Sequence, residues 1–228
     1  MSKAMPGALS RTRIKFCGLT RPGDVRLAGE LGVDAVGVIF AAKSCRRVEP
    51  AQAGALRQAL APLVDLVALF MDNSEREVRA AIAHVHPTLL QFHGSEDDAF
   101  CRRFGLPYLK GLGLGDADAV CDAGVLHRRW PHAAGFVLDG HGAGQAGGSG
   151  QRLDLSRVPA NLGKPCLLAG GLAPDNVAAA IHAVRPWGVD VAGGIESSPG
   201  IKDGALMQQF VEAVRRADAE AATDAAIG

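Results

Sequence analysis

The sequence predicts an α/β protein built as a single (β/α)8 TIM barrel, and three observations carry that reading. Short β-rich apolar runs alternate with longer stretches rich in Ala, Leu, Arg and Glu, the order that makes a parallel sheet joined by crossover helices. Eight such runs can be counted, and several are almost continuously apolar, as strands covered on both faces are. The 228 residues allow about 28 for each of eight strand-helix units, close to the size of one barrel, with little left for a second domain. A doubly wound open sheet shares the alternation. Its G-x-G-x-x-G turn is absent after the first run, where Cys17, Gly18, Leu19 and Thr20 stand instead.

The first strand is read at residues 13–16 and its helix at 22–31; the second pair lies at 35–40 and 50–60. The third strand, 66–70, leads into a helix at 74–85, where Ser74 and Glu77 have capping-box spacing. The fourth, 88–92, precedes a helix at 96–104, where Ser95 and Asp98 repeat that spacing with a shorter acid. A fifth pair is expected at 108–112 and 117–121. After the sixth strand, 135–138, the glycine-rich segment 139–153 reads as a mobile loop and leaves room only for a short helix at 155–158. The last two pairs are 166–169 with 175–184, and 189–192 with 205–217. No linker composition divides the chain, so one domain is read over 13–216. Residues 1–12 and 217–228 are taken as flexible tails, the second an Ala-rich, frayed extension of the final helix.

Composition narrows the function classes. With 48% hydrophobic and 21% charged residues, the chain is far from the disordered regime. Lys plus Arg equals Asp plus Glu at 24 each, so no overall field gathers nucleic acid or an anionic membrane, and an anionic ligand must be caught locally. No stretch approaches the ~20 apolar residues of a membrane span, and residues 1–10 lack the apolar run of a secretory signal, so the cytoplasm is the expected location. The 5 cysteines show neither C-x-x-C pairing nor metal-ligand spacing and read as reduced thiols. Glycine is the outlier, 29 residues clustered between strands and helices.

In a barrel the active site is assembled at the C-terminal ends of the strands. The polar residues there are Cys17, the segment from Lys43 to Arg47, Asp72, Gln91 with His93, Asp139, and the stretch from Asp190 to Glu196, with Gly170 and Gly171 after the seventh strand. Taken singly, each has a plain structural alternative. Cys17 reads as a buried inert thiol, Asp139 before Gly140 as a turn residue, His93 as a hydrogen-bonded structural group, and Arg46 and Arg47 as solvated charges.

Their setting carries a family resemblance. Lys15-Phe16-Cys17-Gly18-Leu19-Thr20 is similar to the K-x-C-G-[LI]-[TR] opening of the phosphoribosylanthranilate isomerase family, an enzyme family of tryptophan biosynthesis. In the same order and spacing follow Gln91-Phe92-His93-Gly94, Val137-Leu138-Asp139 and the loop Gly147-Gly148-Ser149-Gly150. Ala169-Gly170-Gly171-Leu172 with Asn176-Val177 comes next. The stretch from Val189-Asp190-Val191 through Gly194, Glu196, Pro199-Gly200 and Lys202-Asp203 completes the pattern. The resemblance spans about residues 13 to 214 and implies a (β/α)8 barrel.

The resemblance implies an Amadori rearrangement of N-(5-phosphoribosyl)anthranilate to 1-(2-carboxyphenylamino)-1-deoxyribulose 5-phosphate, which needs one acid and one base and no cofactor or metal. It assigns Cys17 as the general base and Asp139 as the general acid, so the two pKa values must be pushed in opposite directions. It implies that Arg46, in Ser44-Cys45-Arg46-Arg47-Val48, forks the anthranilate carboxylate. Backbone N–H groups of Gly171, Gly193 and Gly194 would bind phosphate. Asp190 would hydrogen-bond the sugar or amino group, and His93 would line the pocket. The expected partner is a small phosphorylated substrate, with no nucleic acid or membrane, and the assembly a monomer or homodimer. Two departures stand out. Ala192-Gly193-Gly194 replaces the commoner S-S-G, removing hydroxyl contacts to phosphate, and Cys45 stands where proline is common. Ribulose-phosphate epimerases and the related histidine-pathway isomerase use aspartates at strand ends one and five, where this chain has Cys17 and Gly111. A non-catalytic phosphate-binding barrel is the remaining alternative, and it would be favoured by loss of Cys17 or Asp139.

Overall fold

Strands buried on both faces alternate two apolar layers, and that alternation builds the barrel. The computed structural model describes residues 11–115, 122–140, 154–159 and 162–227, with side chains to residue 223. Its strands are β1 (Arg13–Cys17), β2 (Ala35–Ile39), β3 (Asp65–Phe70), β4 (Leu89–Phe92), β5 (Tyr108–Gly113), β6 (Gly135–Asp139), β7 (Cys166–Leu168) and β8 (Gly188–Val191). They pair in parallel in chain order and close when β8 meets β1. One face of each strand, including Ile14, Phe16, Val36, Val38, Phe70, Phe92, Phe136 and Val189, joins the core shared with the helices. The alternate face points into the barrel. There Leu109, Val137 and Leu167 form one apolar cluster and Cys17, Ile39 and Leu69 another.

The crossover helices are α1 (Pro22–Glu30), α2 (Pro50–Gln58), α3 (Glu75–Val85), α4 (Asp98–Arg102), α5 (Ala123–Arg129), α6 (Val177–Val184) and α7 (Gly204–Ile227), with a 3-10 turn at Leu155–Arg157 in the sixth position. Their starts follow local chemistry. Proline opens α1 and α2, where its missing N–H costs nothing, and Ser74 and Glu77 form the expected capping box on α3.

Four details differ from the sequence reading. Ser95 and Asp98 do not cap α4; the Asp97 carboxylate accepts from Phe100 N, while Ser95 Oγ donates to Asp72. The helix is shortened to five residues because Glu96 is drawn inward, accepting from Asp72 N, Gly94 N and Lys110 Nζ. The fifth crossover helix is α5, capped by Asp122, whereas the expected 117–121 helix lies outside the described residues. A hairpin of β9 (Glu196–Ser198) and β10 (Ile201–Lys202), not anticipated, follows β8 and folds back over the barrel mouth. Finally, α7 continues past residue 216: Ala217 is buried, and Asp218 accepts from the backbone N–H and the hydroxyl of Thr12. That contact ties together two segments that the sequence reading had assigned to tails.

Candidate active site

The C-terminal ends of the strands surround a cleft of about 610 Å³. All eight residues singled out from the sequence line it: Cys17, Arg46, His93, Asp139, Gly171, Asp190, Gly193 and Gly194. The loop expected at 139–153, with Gly147 to Gly150 and His141, lies outside the described residues beyond Gly140.

Cys17 ends β1 with its thiol turned into the barrel, 5% exposed. Two residues earlier on the same face, Lys15 is buried and donates to both Asp190 oxygens, at 2.9 and 2.8 Å. Lys15 and Asp190 are register partners across the β1–β8 pairing, so the sheet sets them side by side. Asp190, expected from the sequence to contact substrate, lines the cleft, and each of its two oxygens accepts one bond from Lys15. Gly37 on β2 leaves the room required. A Cβ there would meet Cys17 Sγ at 2.9 Å and Lys15 Nζ at 3.2 Å.

Burial pushes the Cys17 thiol up, the Lys15 ammonium pulls it down, and Asp190 pushes it up again, leaving it above the ordinary thiol value. Lys15 is raised as well. Burial lowers it, but Asp190 and Cys17 outweigh that and hold it charged.

Asp139 ends β6 on the far side of the β7 and β8 loops, buried at the cleft wall. His93 Nε2 lies 3.9 Å from Asp139 Oδ2, and His93 Nδ1 faces Gln91 Nε2 at 3.3 Å. With the amide nitrogen donating, Nδ1 accepts and the ring proton sits on Nε2, toward Asp139. Burial lowers the His93 pKa more than Asp139 and Asp190 raise it, so the ring is neutral at neutral pH. The Gln91 Oε1 atom is buried without a partner among the described residues and belongs to a side chain that lines the cleft.

Arg46 is buried against the hairpin. Its Nε and Nη2 donate to Glu196 Oε1 and Oε2 at 2.8 and 2.7 Å. The fork expected to hold a substrate carboxylate is therefore occupied on that edge, and Nη1 donates one hydrogen to Cys45 Sγ at 3.7 Å, leaving its other hydrogen for a ligand. Lys202 Nζ reaches the same Glu196 at 2.7 Å and donates to Ala192 O at 2.9 Å, fixing the turn after β8. Burial raises the Glu196 carboxyl, but Arg46 and Lys202 together bring it below its ordinary value.

The glycine turns are held by named contacts. Asn176 Nδ2 donates to Gly171 O and its Oδ1 accepts from Ala173 N, both at 2.9 Å, which gives the Asn of the quoted motif a structural task. Gly193–Ile195 forms a 3-10 turn whose N-cap, Ala192, offers no side-chain cap. A Cβ at Gly194 would stand 1.9 Å from Leu172 O, so only glycine lets the β7 and β8 loops approach this closely. Lys15, Gln91, Glu196 and Lys202 carried no role in the sequence reading although all stand within its motifs. Period-two alternation puts Lys15 on the Cys17 face; nothing in the sequence pairs Arg46 with Glu196. Among the described residues, no cluster of three His, Cys, Asp or Glu side chains could hold a metal ion, and no helix is long and apolar enough to cross a membrane.

Comparison with known proteins matches residues 14–213 to the family model of N-(5'-phosphoribosyl)anthranilate isomerase. A curated relative of that name from Stenotrophomonas maltophilia is 62% identical over 91% of this chain and 95% of its own. The same-named protein of Xanthomonas campestris is 59% identical over 94% and 98%. Among solved structures, the phosphoribosyl anthranilate isomerase of Thermus thermophilus superposes with a TM-score of 0.78 at 30% identity, over 90% of this chain and 99% of that one. Another isomerase of this kind, 28% identical with a TM-score of 0.71 over 90% and 99%, was solved with reduced 1-(o-carboxyphenylamino)-1-deoxyribulose 5-phosphate.

Proposed function

The chain belongs to the N-(5'-phosphoribosyl)anthranilate isomerase family, and on that premise we propose how its own residues carry out the isomerisation of N-(5-phosphoribosyl)anthranilate in tryptophan biosynthesis. The Asp139 carboxyl gives a proton to the furanose oxygen; the ring opens and the anthranilate nitrogen becomes an iminium. The Cys17 thiolate then takes the proton from the adjacent sugar carbon. The C–H electron pair forms the enolamine double bond, which tautomerises to the ketone of 1-(2-carboxyphenylamino)-1-deoxyribulose 5-phosphate.

The observation that carries this assignment is the arrangement of strand ends. Cys17 on β1 and Asp139 on β6 are separated by β7 and β8, whose loops contribute Gly171, Gly193 and Gly194 to the same cleft. A phosphate bound to those backbone N–H groups holds the ribose between base and acid. The Nη1 side of Arg46 meets the anthranilate carboxylate, and neutral His93 donates toward Asp139 without competing as a base. Asp190 acts through Lys15. We read the protein as cytoplasmic, and as a monomer or homodimer.

The test is turnover of freshly prepared phosphoribosylanthranilate, followed by the loss of its fluorescence. Cys17→Ser and Asp139→Asn each lower kcat by ~100-fold or more, the usual scale for a positioned acid or base. Rates within a few-fold of the unmodified protein would mean that the roles are misassigned. Arg46→Ala raises KM more than it lowers kcat; an unchanged KM would remove Arg46 from carboxylate binding.

A further inference from the structure

We propose that Lys15 is a positioning residue for the isomerisation, setting the protonation of Cys17, and that Asp190 serves the reaction by orienting Lys15 rather than by touching substrate. The inference rests on the reading of Cys17 as the base, and it concerns how a buried thiol comes to ionise at all.

The geometry begins with strand alternation. Lys15 and Cys17 are two apart on β1 and share the inward face, and Asp190 enters from β8 in register with Lys15. An ammonium has three donors. Two are spent on the Asp190 oxygens at 2.9 and 2.8 Å. Sulfur and ammonium nitrogen both crowd the vacant Cβ position of Gly37, at 2.9 and 3.2 Å, so the third donor has the thiol as its neighbour.

An ion pair this deeply buried is poorly explained as a stabilising device. Lys15 is 2% and Asp190 6% exposed, and desolvating both charges cancels most of their attraction. Deeper in the barrel, apolar side chains such as Leu109, Val137 and Leu167 fill the interior beside the buried Gln91. An apolar pair at positions 15 and 190 would serve packing equally well. What it would not supply is a cation beside the thiol.

Among the described residues, the charges that bear on Cys17 are few. Lys15 shares its strand, Asp190 comes from β8, Lys202 from β10, and Arg46 from the loop after β2. Lys202 and Arg46 share the single carboxylate of Glu196, and Lys202 acts on the thiol less strongly than Lys15 does. Lys15 is therefore the cation that counts most, and Asp190 limits how much of its charge reaches the sulfur.

That arrangement gives opposite predictions for its two members. Lys15→Met removes the counter-ion and moves Cys17 ionisation to higher pH by on the order of one unit, the lower end for a close opposite charge. Lys15→Arg restores part of it. Asp190→Asn leaves the ammonium to the thiol alone and moves the ionisation to lower pH. The measurement is the pH dependence of iodoacetamide alkylation at Cys17, read on the Cys17 peptide by mass spectrometry in the full-length protein. The acid limb of kcat/KM, measured alongside, is expected to move in the same two directions. At a fixed pH below the midpoint, Lys15→Met alkylates about tenfold more slowly and Asp190→Asn faster.

Shifts in the same direction for both variants, or an unmoved midpoint with only a lower Tm, would make the pair structural and overturn the proposal. If Lys15→Met does not fold, the near-isosteric Asp190→Asn decides alone: an unmoved or raised midpoint overturns it. Alkylation reads the thiol whether or not it is the base. A Cys17→Ser variant with near-unmodified kcat would therefore remove the base assignment and leave the coupling of Lys15 to the thiol standing or falling on its own measurement.

Discussion

A hydrogen at position 37 matters to the site as much as either group proposed to react, because any side chain there occupies the space in which Cys17 and Lys15 meet. A Cβ would stand 2.9 Å from the sulfur and 3.2 Å from both the Cys17 Cα and the Lys15 nitrogen, closer than such atoms approach without displacement. Gly37→Ala is expected to lower kcat by at least about tenfold with the circular dichroism spectrum unchanged, since misplacing a reacting group by an ångström costs up to ~100-fold. A variant with unmodified kcat would show that the thiol has room to move. The place of Cys17 and Asp139 at the cleft was legible in the sequence because strand ends are where barrels keep their chemistry, and the roles proposed for them come from the motifs around them. The partners were not. Lys15 is visible as a same-face neighbour of Cys17, but its bond to Asp190 spans 175 positions, and the Arg46–Glu196 pair spans 150; both are products of barrel closure.

The strands were readable as elements because burial on both faces leaves them almost wholly apolar, and the observed strands fall within a residue or two of the expected ones. Helices were readable where a cap stands alone, as at Ser74, and misread where tertiary bonds compete for it. Ser95 has cap spacing but donates to Asp72, so Asp97 takes over. The β9–β10 hairpin was missed because two- and three-residue strands carry no period to detect. At the far end of the chain, the Ala-rich composition that suggested fraying conceals an anchored helix. Asp218, on α7, accepts from Thr12 N at 3.0 Å and from Thr12 Oγ1 at 2.6 Å, fastening the last helix to the entry of β1. Asp218→Ala is expected to cost about 1.5 kcal/mol, the lower end for a hydrogen bond to a charged group, because the site is only partly buried. In a chain of this size that corresponds to a fall in Tm of about 3–6 °C. Activity should be unchanged, since the contact sits at the opposite end of the barrel from the cleft. A thermal scan with no shift would mean that the helix end is held by apolar packing alone.

For the molecule as a whole, zero formal charge conceals an internal partition: hydrogen-bonding partners lower the carboxyls, while burial raises the thiols. Burial raises the carboxyls of Glu196, Asp34 and Asp98, but the hydrogen bonds opposing it prevail in each case. These come from Arg46 and Lys202 for Glu196, from Arg11 and Ile14 N for Asp34, and from Tyr108 and His132 for Asp98. A carboxyl whose folded pKa lies below its unfolded value binds protons more readily when unfolded. Its contribution is therefore full above the unfolded value of about 4 and is lost as pH falls through the folded one. The thiols have the opposite sign. Burial lifts Cys101 to about 12 and also raises Cys17, so their contribution is full below the unfolded thiol value near 8.5 and declines as pH rises beyond it. The urea midpoint is accordingly expected to be flat between about pH 5 and 8, to fall on the acid side below about 4, and to fall more gently above about 9. Glu196→Gln separates the site from the rest of the molecule. At neutral pH it leaves Arg46 and Lys202 buried without their carboxylate and lowers the midpoint. It converges on the unmodified protein only as pH falls through the folded pKa of Glu196, which lies below the ordinary carboxyl value. Midpoints that stay parallel across the whole range would show that the ionisation of Glu196 does not contribute to the acid limb.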